Sequence, residues 1–552
     1  MLFIFFFILS LLASFFVSFF GSLYISWSFL SSFPLTLEIS FYFDCFSSWF
    51  LSVVLLISSL IIVYSYFYIR PYHKSYYFLV LTSLFVLSMC LVISMSNLFF
   101  IILGWDGLGL VSFFLIVYYQ NQSSIFSGLF TLLINRFGDG LFLCSISIYF
   151  LCFFDFFVFS SNLGTFLCLV FIVLTFITKS AIYPFSPWLP MAIAAPTPIS
   201  ALVHSSTLVT SGLFLMIKFS YIIYSSYLCC MVLLSLSLFT SFYAGLNTVF
   251  EKDLKKLIAL STLSHLGFIG MSFSLGFLTL SFFHLLSHAL FKSLLFMSIG
   301  DIIINLGHSQ DIRFLSSGSL YTPFSVYIMY TPLLNLIGFP SLAGFFSKDL
   351  ILESCNYGLI GSFLYFILLV NVVFTYYYRF QLFYYSFSYN KFSPYSCFNS
   401  PLLIHSFLLS LLGICSLFFG YFFLSFISSW SSFVTVPLSV KFFPMFVLFT
   451  FIILIRFSLS LFTSRSQVLN TYFSTILFLY YFITKVSSYF YYSLAFEFVK
   501  TIETGCLNSF INIKSPKFIY FLGSRMLRFS VLPNILFSIL LFLFFLFPFF
   551  LM

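Results

Sequence analysis

The sequence predicts an all-α, polytopic transmembrane bundle, and three observations carry that prediction. Only 6% of the 552 residues are charged, against 62% apolar and 24% aromatic, and the mean hydropathy is +1.15. A water-soluble domain carries roughly a quarter of its residues as charges, so this chain cannot cover its surface against water. Apolar runs long enough to cross a bilayer, for which about 20 residues suffice, follow one another along nearly the whole length. Much of the charge is gathered into short breaks such as IRPYHKSYY (69–77), FEKDLKKL (250–257) and HSQDIRFL (308–315).

The elements follow in order. MLFIFFFILSLLASFFVSFFG has no positive leader and no A-x-A cleavage site, so 2–20 reads as a first span rather than a signal peptide. Runs at 45–69, 76–96, 97–119, 125–151, 162–182, 199–220, 227–249, 257–275 and 278–304 continue the series. Those at 320–345, 358–385, 402–428, 440–462, 468–488 and 532–552 bring the total to about 15–16 spans. Residues 489–531 mix Glu497, Lys500, Glu503, Lys514, Lys517, Arg525 and Arg528 with apolar side chains. That pattern suits an amphipathic helix lying in the membrane plane, with 532–552 as its anchor.

Composition also excludes functions. The net charge of +9 comes from 22 Lys and Arg spread thinly, without the basic cluster that nucleic-acid binding needs. Eleven scattered cysteines contain no C-x-x-C, so no metal site and no disulfide framework is expected. The excess of Phe (91) and Tyr (36) over Lys points to a thymine-rich, organellar gene.

Two apolar segments interrupt themselves. In KSAIYPFSPWLPMAIAAPTP, Lys179 is the only formal charge between Asp155 and Lys218, and five of the chain's 17 prolines follow it closely. The other is LIGFPSLAGFFSKD, ending at Lys348 and Asp349. Interrupted helices at corresponding places in two halves point to a transporter built from internal repeats.

A charge in mid-membrane costs on the order of 3 kcal/mol even on the gentlest scale, so each must be paired, hydrated or used. Asp106 in ILGWDGLGL is the sole formal charge between Lys74 and Arg136. The alternative for it is an acid beside a packing patch of Gly104, Gly107 and Gly109. His284, His288 and Lys292 stand four apart, which lines them along one helix face over about 12 Å of rise. His204 and His265 are single histidines in apolar spans, open to either a structural or a relay role. Lys255 and Lys256 are equally consistent with positive flank residues.

Taken together, GWDGLGLVSFFLI, NRFGDG, KSAIYPFSPWLP with APTPISALVHSSTLVTSG, KDLKKLIALSTLSHLG, FHLLSHALFKSLLFM, NLGHSQDIR and AGFFSKDLILES resemble one family. It is that of the chain 5 subunits of proton-pumping NADH:ubiquinone oxidoreductase (respiratory complex I), whose members are antiporter-like. The resemblance implies two inverted repeats with broken helices, at 97–249 and 250–395. N-terminal helices at 1–96, further spans at 396–488, a lateral helix at 489–531 and an anchor at 532–552 would flank them. It implies an acid–lysine pair of Asp106 and Lys179 with His204 next on a proton path. Lys255, His284, His288 and Lys292 would form a central axis, and Lys348 with Asp349 a terminal site. It further implies that NAD, FMN, iron–sulfur clusters and ubiquinone sit in other subunits, with none in this chain. The partners would be other membrane-arm subunits, above all an adjacent antiporter-like one, and membrane lipids, in the mitochondrial inner membrane. The family usually carries Glu where Asp106 stands, and Arg where Lys218 stands. A cation/proton antiporter and a structural scaffold without an ion path are the competing readings.

Overall fold

The computed structural model describes residues 5–10, 12–13, 22–32, 35–69, 75–154, 162–307, 309–315, 322–339, 342–355, 361–387 and 403–427. The spans predicted at 440–462 and 468–488, the lateral helix at 489–531 and the anchor at 532–552 lie outside the described residues. Within them, nine helices are long and apolar enough to cross a membrane.

One element departs from the all-helical expectation. Strands β1 (Leu23–Ser32) and β2 (Leu35–Phe43) form an antiparallel hairpin, pairing Leu23 with Phe43 and Trp27 with Ile39. In LTLEIS, polar and apolar residues alternate with a period of two, which fits a strand lying against one surface and not a span. The hairpin is tied to the next helices by the Ser96 amide, which donates to the Ser40 carbonyl at 3.0 Å.

Helices α1 (Cys45–Ile69), α2 (Ser75–Ser94), α3 (Leu98–Ile116), α4 (Gln122–Phe154) and α5 (Asn162–Lys179) follow. Asn97 caps α3, its side chain accepting from the Phe99 amide. Gly104 packs α3 tightly on α2: a Cβ there would stand 2.9 Å from the Ser88 carbonyl oxygen. The packing patch is thus real at Gly104 and Gly107, whereas Gly109 faces open space.

Beyond Lys179 the proline-rich stretch interrupts the helix where the sequence predicts: turns lead to the short helical segments Trp188–Met191 and Ala192–Ala194. A further break, which the sequence did not announce, lies inside the next buried span. Helices α6 (Thr197–Val203) and α7 (Leu208–Lys218) are separated by His204–Ser205–Ser206–Thr207, a sequence with neither Pro nor Gly. The hydroxyls of Ser206 and Thr207 both donate to the Leu202 carbonyl, at 3.3 and 2.7 Å, and that of Ser205 donates to Ala201. Side chains compete there with the backbone ladder and unwind one turn.

Helices α8 (Tyr227–Phe250), α9 (Leu254–Ser274) and α10 (Leu278–Asn305) come next. The most apolar part of α10 is wholly buried, so protein encloses its titratable His284, His288 and Lys292 as well. It packs against α1, α6, α9 and two later helices, α11 (Pro323–Ile337) and α14 (Leu403–Ile427).

The second break is where the sequence placed it. Helix α11 ends at Gly338 in the left-handed region (φ +83°). After it come a π-helical turn, Phe345–Asp349, and the short α12 (Leu350–Ser354). Helix α13 (Gly361–Phe387) then packs against α8 and α11.

Candidate functional site

The first polar cluster lies between α3, α4 and α5. Lys179 ends α5 with no exposed surface. Its ammonium donates to the Trp105 carbonyl and stands 3.8 Å from the centre of the Trp105 ring, a cation–π seat for a desolvated amine. Asp106 does not form the expected ion pair with Lys179 in this structure. Its Oδ2 faces Arg136 Nη1 at 3.6 Å, and the same nitrogen lies 3.4 Å from Asp139 Oδ2. Asp106 is a third exposed while Asp139 is buried. The shorter aspartate is held on the outer side by a competing guanidinium. The buried Asp139 lies one helix turn beyond Arg136 on α4.

His204 caps α6 at the unwound turn and is buried among rings, 6.5 Å from Trp188 and 6.4 Å from Phe296 of α10. Trp188 Nε1 donates to the Thr178 carbonyl at 2.9 Å, beside Lys179. The break therefore sets His204 between the first cluster and α10.

The central cluster joins α9, α10, the π turn and α13. Lys292 donates to Ser261 Oγ at 2.7 Å. His265 Nδ1 shares a hydrogen bond with His284 Nε2 at 3.3 Å, and His284 Nδ1 one with Ser347 Oγ at 3.0 Å. His288 sits 5.7 Å from the His265 ring, with neither ring nitrogen bonded among the described residues. Lys348 donates to Thr375 Oγ1 at 3.2 Å and lies 5.0 Å from the Tyr376 ring.

Two residues depart from the expected grouping. Asp349, next to Lys348 on the turn, makes no ion pair with it among the described residues. The Asp349 carboxylate instead lies 3.0 Å from where a Cβ on Gly338 would stand. Lys255 is not part of the central axis either. It begins α9, some 9 Å of helical rise before Ser261, and lines an open pocket of about 610 Å³ with Tyr68, Tyr119 and Gln310.

Residues 94–375, half of the chain, match the transmembrane family described as NADH:quinone oxidoreductase/Mrp antiporter. The chain belongs to this family. Curated relatives in the NADH:quinone oxidoreductase/Mrp antiporter family include the "NADH-ubiquinone oxidoreductase chain 5" proteins of two insects. That of Anopheles gambiae is 45% identical over 370 residues, 66% of this chain and 63% of the relative. That of Anopheles arabiensis is 46% identical over 351 residues, 62% of this chain and 91% of the relative. The chain thus matches less than two thirds of the length of the Anopheles gambiae relative. Among solved structures, the Mrp complex of Dietzia sp. is similar with a TM-score of 0.71 at 22% identity, over 87% of this chain and 56% of the other. A membrane-bound archaeal sulfane sulfur reductase gives 0.68 at 20% identity, over 77% and 89%. Both likenesses concern the fold.

Within this antiporter-family fold, sequence reasoning missed Arg379 of α13, which is 1% exposed. Arg379 bonds His265 Nε2 at 3.3 Å and Tyr378 at 3.2 Å. A signal existed: it is the only formal charge between Glu353 and Lys391, the same criterion that singled out Lys179. Arg136 and Asp139 were visible in NRFGDG but were not singled out as site residues.

Proposed function

We propose that this chain is a proton-translocating subunit of NADH:ubiquinone oxidoreductase in the mitochondrial inner membrane, acting beside another antiporter-like subunit and driven by redox groups that other subunits hold. One observation carries the reading. A buried series of titratable side chains runs from Lys179 past His204 to Lys292, His288, His265, His284 and Lys348, and a broken helix stands at each of two points along it.

The geometry suggests how charge would move. Lys179 rests on a ring and a carbonyl, not on a carboxylate, so its ammonium is poorly compensated where it stands. Any rearrangement that brings Asp106 or Asp139 closer stabilises the protonated lysine, and one that withdraws them favours release. Redox energy arriving from a neighbouring subunit would need only to shift that balance. Arg136, between the two acids, is placed to set how far each can turn inward.

The family's Mrp branch and the fold likeness to the Mrp complex keep a cation/proton antiporter as the second reading. The test is purification from native membranes. Co-migration with NADH:quinone reductase activity in a large complex supports the proposal. A free chain exchanging sodium for protons without NADH supports the antiporter.

A further inference from the structure

A second titratable pair lies away from the lysine–histidine series. Asp301 near the end of α10 and His405 of α14 face each other, His405 Nδ1 to Asp301 Oδ1, at 3.2 Å. Their side chains are only 11% and 12% exposed. Nine residues after Lys292, Asp301 lies about half a turn around α10 from it, on the side facing α1 and α14.

The surroundings are polar and aromatic. The Tyr64 ring of α1 lies tilted 5.2 Å from the His405 ring, and its hydroxyl donates to the Met297 carbonyl at 3.1 Å. That hydroxyl and Thr197 Oγ1 of α6 converge over Gly300, 2.5 and 2.8 Å from where a Cβ would stand. Thr197 and His204 lie at opposite ends of the short α6, which links this track to the series already described. In the other direction, Tyr68 stands 5.9 Å from Tyr64. Tyr68 and Ile303 line the open pocket that also holds Lys255. Among the described residues, the titratable group packed against the pair is Tyr64 of α1, with Tyr68 beyond it.

We propose that Asp301 and His405 form a further proton-holding site, connecting the His204 region to the open pocket at Tyr68 and Lys255. This rests on the proposed translocating function. His405 Nε2 has no hydrogen-bond partner among the described residues. A proton taken up there converts the neutral imidazole, with Nδ1–H directed at the carboxylate, into an imidazolium held by Asp301. Release from Nε2 restores the neutral ring, and no other bond changes.

The test separates this role from a clamp between α10 and α14. Asp301→Asn keeps the acceptor oxygen for His405 but removes the charge that holds an imidazolium. In the full complex reconstituted into liposomes, protons moved per NADH oxidised should fall about tenfold or more in Asp301→Asn, while Asp301→Glu recovers pumping. If assembly of Asp301→Asn is impaired, His405→Gln is measured instead, with the same loss expected. Unchanged pumping in Asp301→Asn or His405→Gln beside a loss in Lys292→Met overturns the pair and leaves the translocating function standing. Unchanged pumping in Lys292→Met as well overturns both.

Discussion

Lys179 makes the residue-scale case most sharply. Its ammonium has a carbonyl, a ring and no carboxylate in contact, so its burial weakens the fold. Lys179→Met is expected to abolish proton pumping in proteoliposomes while holding or raising the Tm. The removed charge is worth up to about 3 kcal/mol of desolvation, and methionine fills the same space. Pumping at the unmodified level would take Lys179 off the path. Arg379 predicts the reverse pairing. Arg379→Met frees His265 Nε2 and Tyr378 of their donor, so loss of pumping should come with a lower Tm, read by thermal unfolding in detergent. The rule that isolates a lone charge in an apolar run made Asp106 and Lys179 legible. It applied equally to Arg379, in a run that had been read for hydropathy alone. Which acid faces Lys179 was not legible. That depends on how α3, α4 and α5 pack, and one methylene of reach decides between Arg136 and the lysine.

At the scale of elements, the two broken helices have different causes. The second was readable because Gly338 and Pro340 announce it. Its geometry depends on Gly344, where a Cβ would overlap the Asn335 carbonyl oxygen. Gly344→Ala should cost about 1–3 kcal/mol through overpacking, seen as a lowered Tm and loss of pumping together. The break at His204–Thr207 escaped the sequence reading because serine and threonine carry no comparable signal until their hydroxyls find carbonyls in three dimensions. The connection between α8 and α9 carries a pH dependence of its own. Burial pushes the Glu251 carboxyl up to about 7, Lys256 opposing and Asp253 adding to the shift. The folded chain then holds a proton that the unfolded chain releases near 4.5. Stability from this group is therefore present at low pH and is lost as pH rises from about 4.5 through about 7. Thermal melts across that window should show the loss in the unmodified chain and lack this component in Glu251→Gln.

For the whole molecule, composition alone established a helical membrane bundle, because a chain this poor in charge has no other solvent. The hairpin of β1 and β2 escaped notice since its alternating pattern sits between two long spans and is short beside them. The proposed assembly makes a plain prediction: solubilised in mild detergent, the chain should sediment with NADH:quinone reductase activity, and a monomeric peak without that activity would refute it. The turn at His204–Thr207 bears on how such a machine could cycle. A proline deletes an amide donor for good, whereas these four residues keep every N–H. The interruption is thus a joint rather than a fracture. When the hydroxyls swing aside, Thr197–Lys218 can rewind into one rod and carry His204 round with it. Replacing Ser205, Ser206 and Thr207 together by alanine should weld that rod, slowing amide exchange through the turn and stalling turnover with every charged group still in place.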